Sequence, residues 1–471
     1  MSVMNNPIVN KALVRSLVTL ENPFNSTEDI LAWIQRRNAE VPVSVEEIPL
    51  VDMKGWHFDE YSGNLVHDTG RFFSIVGIDV SVDDGRRRSW QQPIINQPEV
   101  GILGVLAKMC NGILYFLMQA KIEPGNVNCI QLSPTIQATR SNYTRIHGGR
   151  KPPYLDCFRN VPPEMVLIDQ LQSEQGANFY RKRNRNIVVL VEEDIPALEN
   201  FRWLTLAQIK RLMAMDNIVN MDTRTVMSGL SFSLSDMSLQ ETVRGKMFDE
   251  WMLSERHLFG VSDVDGILHR LSELKSRYEL IVEKMPLKDV RGWNVEPKEI
   301  VRPDRLFFRV MGVRVAIENR EVSSWCQPLV QSMQEGLCVL FAKRINGVFH
   351  FLLQAKIECG NFDVVEFAPS IQCLTGPYRD PIGYVPQFLD SFLSGKCVEK
   401  MLFDTHQSEE GGRFYHEQNR YAICEVNDLI PDVPPESFFW LTLGQIKEFL
   451  KFNNYLNVQV RSLVSALEYA Q

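Results

Sequence analysis

Apolar residues recur at helical spacing near the head of each half of this chain. Over residues 27–37, Ile30, Leu31, Trp33 and Ile34 share one side, and over 264–282 Ile267, Leu268, Leu271 and Leu274 do the same. Both spacings predict amphipathic helices. Residues 72–80 and 307–315 are rich in β-branched and aromatic side chains and read as strands. The sharpest local signal lies mid-way through each half. Apolar runs over 105–110 and 113–122 flank Asn111-Gly112, and runs over 339–345 and 348–357 flank Asn346-Gly347. Asn-Gly supplies the two positive φ angles of a type I′ turn, so each pair of runs predicts a β-hairpin. Each half closes on Trp-Leu-Thr-Leu-x-Gln-Ile-Lys, beginning at Trp203 and Trp440. There Thr205 with Gln208, and Thr442 with Gln445, fit capping boxes that open amphipathic helices.

The halves are two copies of one text. Ser89-Trp90-Gln91-Gln92-Pro93 and Gln119-Ala120-Lys121-Ile122-Glu123-Pro124-Gly125-Asn126 return 235 positions later as Ser324-Trp325-Cys326-Gln327-Pro328 and Gln354-Ala355-Lys356-Ile357-Glu358-Cys359-Gly360-Asn361. What both copies keep is fold or shared ligand chemistry, and what one copy keeps alone is a candidate for the specific activity. The order of elements predicts an α+β fold: tandem duplicated modules over 1–232 and 262–471, with mixed β-sheets and flanking helices. Residues 233–261, with Met237, Met247, Phe248, Trp251 and Met252, read as a helical connector that packs.

Composition narrows the classes. A chain of 471 residues, 45% hydrophobic and 23% charged, has ample material for buried cores. Its net charge of −8 argues against a general nucleic-acid binder. Nine cysteines form no CxxC pair and none recurs in the other copy, which favours reduced cytoplasmic thiols over a disulfide or zinc framework. Residues 1–20 lack the pattern of a signal peptide, and the apolar stretch 100–120 is broken by Lys108 and Asn111, so no membrane span is expected. No dinucleotide fingerprint, Walker loop, HExxH or Gly-x-Ser-x-Gly elbow is present.

Four polar clusters are candidates for chemistry. Lys54-Gly55-Trp56 and Arg291-Gly292-Trp293 set a ring beside a cation, as a nucleotide base and phosphate require, although a tryptophan at a strand start is also an ordinary core residue. On a strand, Gln119, Lys121 and Glu123 share one face and Ala120 and Ile122 the other, giving either a ligand face or a Lys–Glu pair at a sheet edge. The loop 132–149 carries Gln137, Thr139, Arg140, Ser141, Asn142, Tyr143, Thr144, Arg145 and His147 before Gly148-Gly149. Copy two keeps Gln372 but departs afterwards to Thr375-Gly376. Finally, Ser173-Glu174-Gln175-Gly176 answers Ser408-Glu409-Glu410-Gly411, each followed by Phe-Tyr and an Asn-Arg pair.

Taken together, Ser-Trp-x-Gln-Pro, Gln-Ala-Lys-Ile-Glu-Pro-Gly-Asn, Ser-Pro-Thr-Ile-Gln-Ala-Thr-x-Ser-Asn-Tyr-Thr with His-Gly-Gly, and Ser-Glu-Gln-Gly resemble the NDP-hexose 2,3-dehydratases of deoxysugar biosynthesis. The resemblance spans nearly the whole chain. It implies a duplicated Nudix-like fold, a homodimer, and dTDP-sugar sites in both repeats. The metal box of true Nudix hydrolases is missing, so diphosphate hydrolysis is not expected. The implied reaction removes water across C2 and C3 of dTDP-4-keto-6-deoxyglucose and requires neither redox cofactor nor metal. A ketoreductase or aminotransferase would consume the diketo product. The rival is a catalytically silent nucleotide-sugar-binding or scaffold protein.

On this reading the proton-transfer candidates are Tyr143 and His147, with Lys121 and Glu123 as alternatives on the hairpin. Substrate contacts in copy one are expected from Trp56, Trp90, Gln119, Gln137, the Thr139 to Thr144 series, Ser173, Glu174 and Arg183. In copy two they are expected from Trp293, Gln372, Thr375, Gly376, Ser408, Glu409, Glu410, Gly411 and Arg420. Because copy two lacks the full loop, elimination is expected in the first repeat.

Overall fold

The computed structural model describes residues 6–139, 151–193, 195–232, 246–317, 323–374 and 385–469. It is a mixed α+β structure with two seven-stranded and two five-stranded sheets among those residues. Each large sheet is built on the expected hairpin. Strands Gly101–Cys110 and Ile113–Ile122 turn through Asn111 (φ 50°) and Gly112 (φ 71°), and Gly336–Ile345 and Val348–Lys356 turn through Asn346 (φ 52°) and Gly347 (φ 81°). The first hairpin strand lies parallel to Arg183–Val191, and the second pairs antiparallel with Ile130–Ser133 and Phe201–Leu204. Their counterparts in the second large sheet are Gln418–Val426, Glu366–Pro369 and Phe438–Thr442.

The capping boxes form as read. The Thr205 hydroxyl accepts from the Gln208 amide at the start of Leu206–Met213, and Thr442 does the same for Gln445 at Leu443–Leu450. Each box satisfies two otherwise unpaired N–H groups at a buried helix start. Thr27–Glu40 is likewise boxed by Ser26 and Asp29, and it buries Ile30, Trp33 and Ile34. Within the connector, Lys246–Arg256 is helical and buries Trp251 and Met252. Met237 and the side chains of Met247 and Phe248 lie outside the described residues. None of the described helices is long and apolar enough to cross a membrane.

The small sheets correct one expectation. The helix predicted over 264–282 is Val264–Arg277, and Glu279–Met285 is a strand. Its β-branched Ile281 and Val282 fit a pleated surface better than a helix interior. That strand leaves its own repeat and pairs with Ser74–Asp83 of the first, from Glu279 opposite Asp83 to Met285 opposite Gly77. The reverse exchange also occurs. Val43–Ile48 of the first repeat pairs with Phe308–Ile317 of the second. Each five-stranded sheet therefore contains one strand of the other copy, and the two repeats are stitched together by backbone hydrogen bonds.

Trp56 and Trp293 complete the stitching. The Trp56 indole N–H donates to the Cys326 carbonyl at 2.8 Å, and Trp293 donates to the Gln91 carbonyl at 3.0 Å. Both rings are buried in the apolar cluster shared by the small sheets. Cys326 and Gln91 are the variable residue of the two Ser-Trp-x-Gln-Pro motifs, so two repeated motifs meet across the repeat boundary.

Candidate active site

The hairpin strand Ile113–Ile122 buries Ala120 and Ile122 in the core and turns Lys121 the other way. One residue past its end, Glu123 meets Lys121: Nζ stands 3.1 Å from Glu123 Oε1. The amide of Gln137, on the short strand Ile136–Ala138, donates to the same oxygen at 2.9 Å. Asn220 in turn donates to Gln137 at 3.4 Å and to the Ser133 hydroxyl at 2.9 Å, while its side-chain oxygen caps the helix Met221–Ser228. One Glu123 oxygen is thus held by a cation and an amide. The other, Oε2, is buried and has no hydrogen-bond partner among the described residues.

The second repeat builds the same chain. Gln372 donates to Glu358 Oε1 at 2.9 Å, Asn457 donates to Gln372 at 2.7 Å, and Asn457 caps Val458–Ser465. Lys356 sits further off, 3.8 Å from Glu358, and donates to the Gln372 carbonyl at 2.9 Å.

Each cluster is closed by a turn from the opposite repeat. The Gly125 N–H donates to the Gly411 carbonyl at 2.8 Å, and the His416 N–H returns a bond to the Gly125 carbonyl at 2.7 Å. Gly360 with Gly176, and Arg181 with Gly360, repeat both contacts on the other side at 2.6 and 2.7 Å. Glycine is required here: a Cβ on Gly125 would stand 1.6 Å from the Phe414 carbonyl oxygen, and one on Gly360 would stand 1.8 Å from that of Phe179. The Ser-Trp-x-Gln-Pro motif steadies the crossing turns. Trp90 donates to Gln92 at 2.8 Å and Gln92 to the Ala177 carbonyl at 3.1 Å. Trp325, Gln327 and Gly412 repeat that relay.

The crossing turns carry buried carboxylates. Glu174 accepts from Asn184 at 2.6 Å, and Glu409 accepts from Asn419 at 2.5 Å and from Tyr421 at 2.9 Å. Burial pushes Glu174 up to about 7, with Glu410 adding to the rise and Arg461 opposing it. Asp222, in the first turn after Asn220, is raised well above the usual carboxylate range by burial, then by Glu410, Glu174 and Glu123. Its Oδ2 has no partner among the described residues. Burial also lowers Lys182, against the pull of Glu174 and Glu410. Fully buried Arg224 donates to Gln407 and to the Ser408 carbonyl at 2.5 and 2.7 Å, while Arg461 reaches the Ser173 carbonyl and Thr225. A carboxylate with one free oxygen, a lysine beside it, and amide donors around it is equipped to move a proton next to a carbonyl.

A sequence model of the NDP-hexose 2,3-dehydratases matches this chain twice, over residues 27–230 and 265–467. The chain belongs to the NDP-hexose 2,3-dehydratase family. Among its relatives, a dTDP-4-dehydro-6-deoxy-α-D-glucopyranose 2,3-dehydratase from Saccharopolyspora spinosa is 44% identical over 97% of this chain and 94% of that protein. Proteins of the same name from Amycolatopsis orientalis and Streptomyces violaceoruber are 41% and 40% identical, over 97% and 94% of this chain and 93% and 97% of their own lengths.

In this 2,3-dehydratase the structure brings together Lys121, Glu123 and Gln137 in one repeat, and Gln372 with Lys356 and Glu358 in the other. Gln119 is half-buried on the same strand, and Thr139 ends a described stretch two residues after Gln137. Ser173 donates to Glu366 at 2.8 Å, and Ser408 donates to Asn217 at 2.8 Å. The paired arginines each grip a carboxylate: Arg185 forks onto Asp169 and Arg420 onto Asp404, in both cases across adjacent strands. Arg183 lies over the Phe362 ring at 4.1 Å. Arg140, Ser141, Asn142, Tyr143, Thr144, His147, Thr375 and Gly376 lie outside the described residues. Sequence reasoning passed over Asn220, Asp222 and Arg224. The signal was present, because Asn-x-x-x-Arg recurs as Asn457 and Arg461.

Proposed function

We propose that this chain eliminates water across C2 and C3 of dTDP-4-dehydro-6-deoxy-α-D-glucopyranose at the cluster of the first repeat, with Glu123 as the base. The observation that carries this reading is the split environment of Glu123: Oε1 is held by Lys121 and Gln137, while Oε2 is buried and open among the described residues. The C4 ketone acidifies the C3 proton, and Glu123 takes it. The electron pair passes to the C4 oxygen, where the Lys121 ammonium stabilises the enolate. Return of that pair expels the C2 hydroxyl and forms the C2=C3 enol. Loss of the O3 proton with protonation at C2 then gives the 3,4-diketo-2,6-dideoxy sugar. No step needs a redox cofactor or a metal. Tyr143 and His147 remain the loop candidates for returning the proton at C2.

The remaining features of this reading rest on the resemblance. Residues 1–232 and 262–471 are Nudix-like modules joined through 233–261, and the twofold family match and the repeated sheet support the duplication itself. The protein works as a cytoplasmic homodimer, its second repeat holds dTDP-sugar without turning it over, and a ketoreductase or aminotransferase removes the reactive diketone. The deciding experiment supplies the 4-keto sugar without added cofactor and follows loss of the C2 oxygen by mass spectrometry. Release of dTMP and the sugar 1-phosphate in place of a dehydrated sugar would point to diphosphate hydrolysis. Binding without any turnover would point to a scaffold.

A further inference from the structure

Elimination needs a second proton movement, because hydroxide is a poor leaving group until an acid protonates it. Glu410 stands beside the cluster that holds Glu123. By sequence it belongs to the second repeat, yet its turn closes the cluster of the first through the Gly125–Gly411 and His416–Gly125 backbone bonds. A Cβ added at Gly412 would stand 3.4 Å from Glu410 Oε1 and 3.6 Å from Glu123 Oε1, the oxygen that Lys121 and Gln137 hold, so both carboxyl groups border the space beside the bare glycine. Glu410 is half-buried there, whereas Asp222 is 2% exposed.

The duplication supplies an internal control. Position for position, the other crossing turn carries Gln175 for Glu410 and Ala177 for Gly412, and Gln459 replaces Asp222. The Gln175 side chain is turned onto Glu409. The Lys–Glu–Gln–Asn chain is common to both repeats, but the second carboxylate and the glycine gap belong to one alone.

We propose that Glu410, contributed by the second repeat, is the acid that protonates the departing C2 hydroxyl in the first repeat's site. This rests on the reading of Glu123 as the base. The C2–O bond breaks with its electron pair going to oxygen, which takes the Glu410 proton and leaves as water. Glu410 is left ionised and Glu123 protonated, and proton transfer between them, or through solvent, restores the starting state. Burial pushes the Glu410 carboxyl up, with Arg413 opposing and Glu123 adding to the rise. A carboxyl group whose surroundings favour its protonated form suits the acid role.

The test compares leaving groups. Glu410→Gln in the full chain is given the natural 4-keto substrate and its 2-deoxy-2-fluoro analogue, whose fluoride departs without an acid. Water loss should fall by about 10²–10⁴-fold, the range for removing a general acid. Fluoride release and deuterium exchange at C3 should stay near wild type. Glu410→Asp, which keeps a carboxyl, should recover part of the water loss and provides the same comparison if Glu410→Gln fails to bind dTDP. Equal slowing of both substrates, or the leaving-group split appearing in Asp222→Asn instead, overturns the proposal. Glu123→Gln should abolish exchange with both substrates. If it does not, the base assignment fails, while the leaving-group comparison at Glu410 still reads out its own role.

Discussion

Lys121 and Glu123 form an ion pair of 3.1 Å, while their counterparts Lys356 and Glu358 are 3.8 Å apart and Lys356 bonds the Gln372 carbonyl. One ancestral cluster has thus taken two settings. In the first, the cation is held against the carboxylate. In the second, the ammonium is drawn toward the backbone, and the neighbouring Glu410, Asp222 and Gly412 are replaced by Gln175, Gln459 and Ala177.

Substitution should expose this difference. Glu123→Gln is expected to lower both C3 deuterium exchange and water loss by about 10²–10⁴-fold. Glu358→Gln should leave turnover near wild type, because it alters the cluster without the second carboxylate. Exchange followed by mass spectrometry in heavy water reads both variants. Loss of turnover in Glu358→Gln alone would move the chemistry to the second repeat.

Much of the local structure behind this site was legible. Asn111-Gly112 announced the hairpin, the alternation over 119–123 separated Lys121 and Glu123 from Ala120 and Ile122, and Thr205 announced its helix. The assembly was not legible, because no local pattern says that Glu279–Met285 will pair with the other repeat or that Gly411 will lie on Gly125. The same exchange explains why 264–282 misread as one helix: Leu280 and Ile281 extend the apolar spacing but lie on a strand paired with Ser74–Asp83. Repetition of Gly125 and Gly360 was visible in the sequence, whereas its cause, contact too close for a Cβ, required the fold.

Gly412→Ala should separate activity from stability. The added methyl would meet Glu410 and Glu123 at 3.4 and 3.6 Å, ordinary contact distances, so the fold should accept it. It fills the gap between the two carboxylates, so kcat/KM should fall while Tm stays within about 2 °C, the shift that a few tenths of a kcal/mol produces. Unchanged kcat/KM would mean that substrate does not enter between those groups.

Trp56 was read from sequence as a candidate base-contacting ring, and its surroundings favour a packing role. The ring is buried between the small sheets, with its N–H on the Cys326 carbonyl. Trp56→Ala should therefore cost about 3–5 kcal/mol of stability, the usual range for truncating a core tryptophan. Affinity for dTDP, measured by calorimetry on the folded fraction, should be little changed. A tenfold loss of affinity at unchanged Tm would restore the stacking role.

A final prediction concerns pH and a site remote from the cluster. Lys210 is buried against the Tyr469 ring, donates to the Ser465 carbonyl at 2.6 Å, and is pushed down to about 7. Burial is the main cause, nearby Lys447 adds to it, and Glu255 and Glu468 oppose it. An unfolded chain keeps this proton until about pH 10.4. Between about 7 and 10 the unfolded state therefore binds one more proton than the folded state, and stability rises with pH by at most about 1.4 kcal/mol per unit from this group. Its contribution is complete above the unfolded value and is lost as pH falls toward 7. Lys210→Met should remove that slope, so urea midpoints measured across pH 7 to 10 should climb less steeply than in the wild type. Parallel curves for the two proteins would show that Lys210 keeps its charge inside the fold.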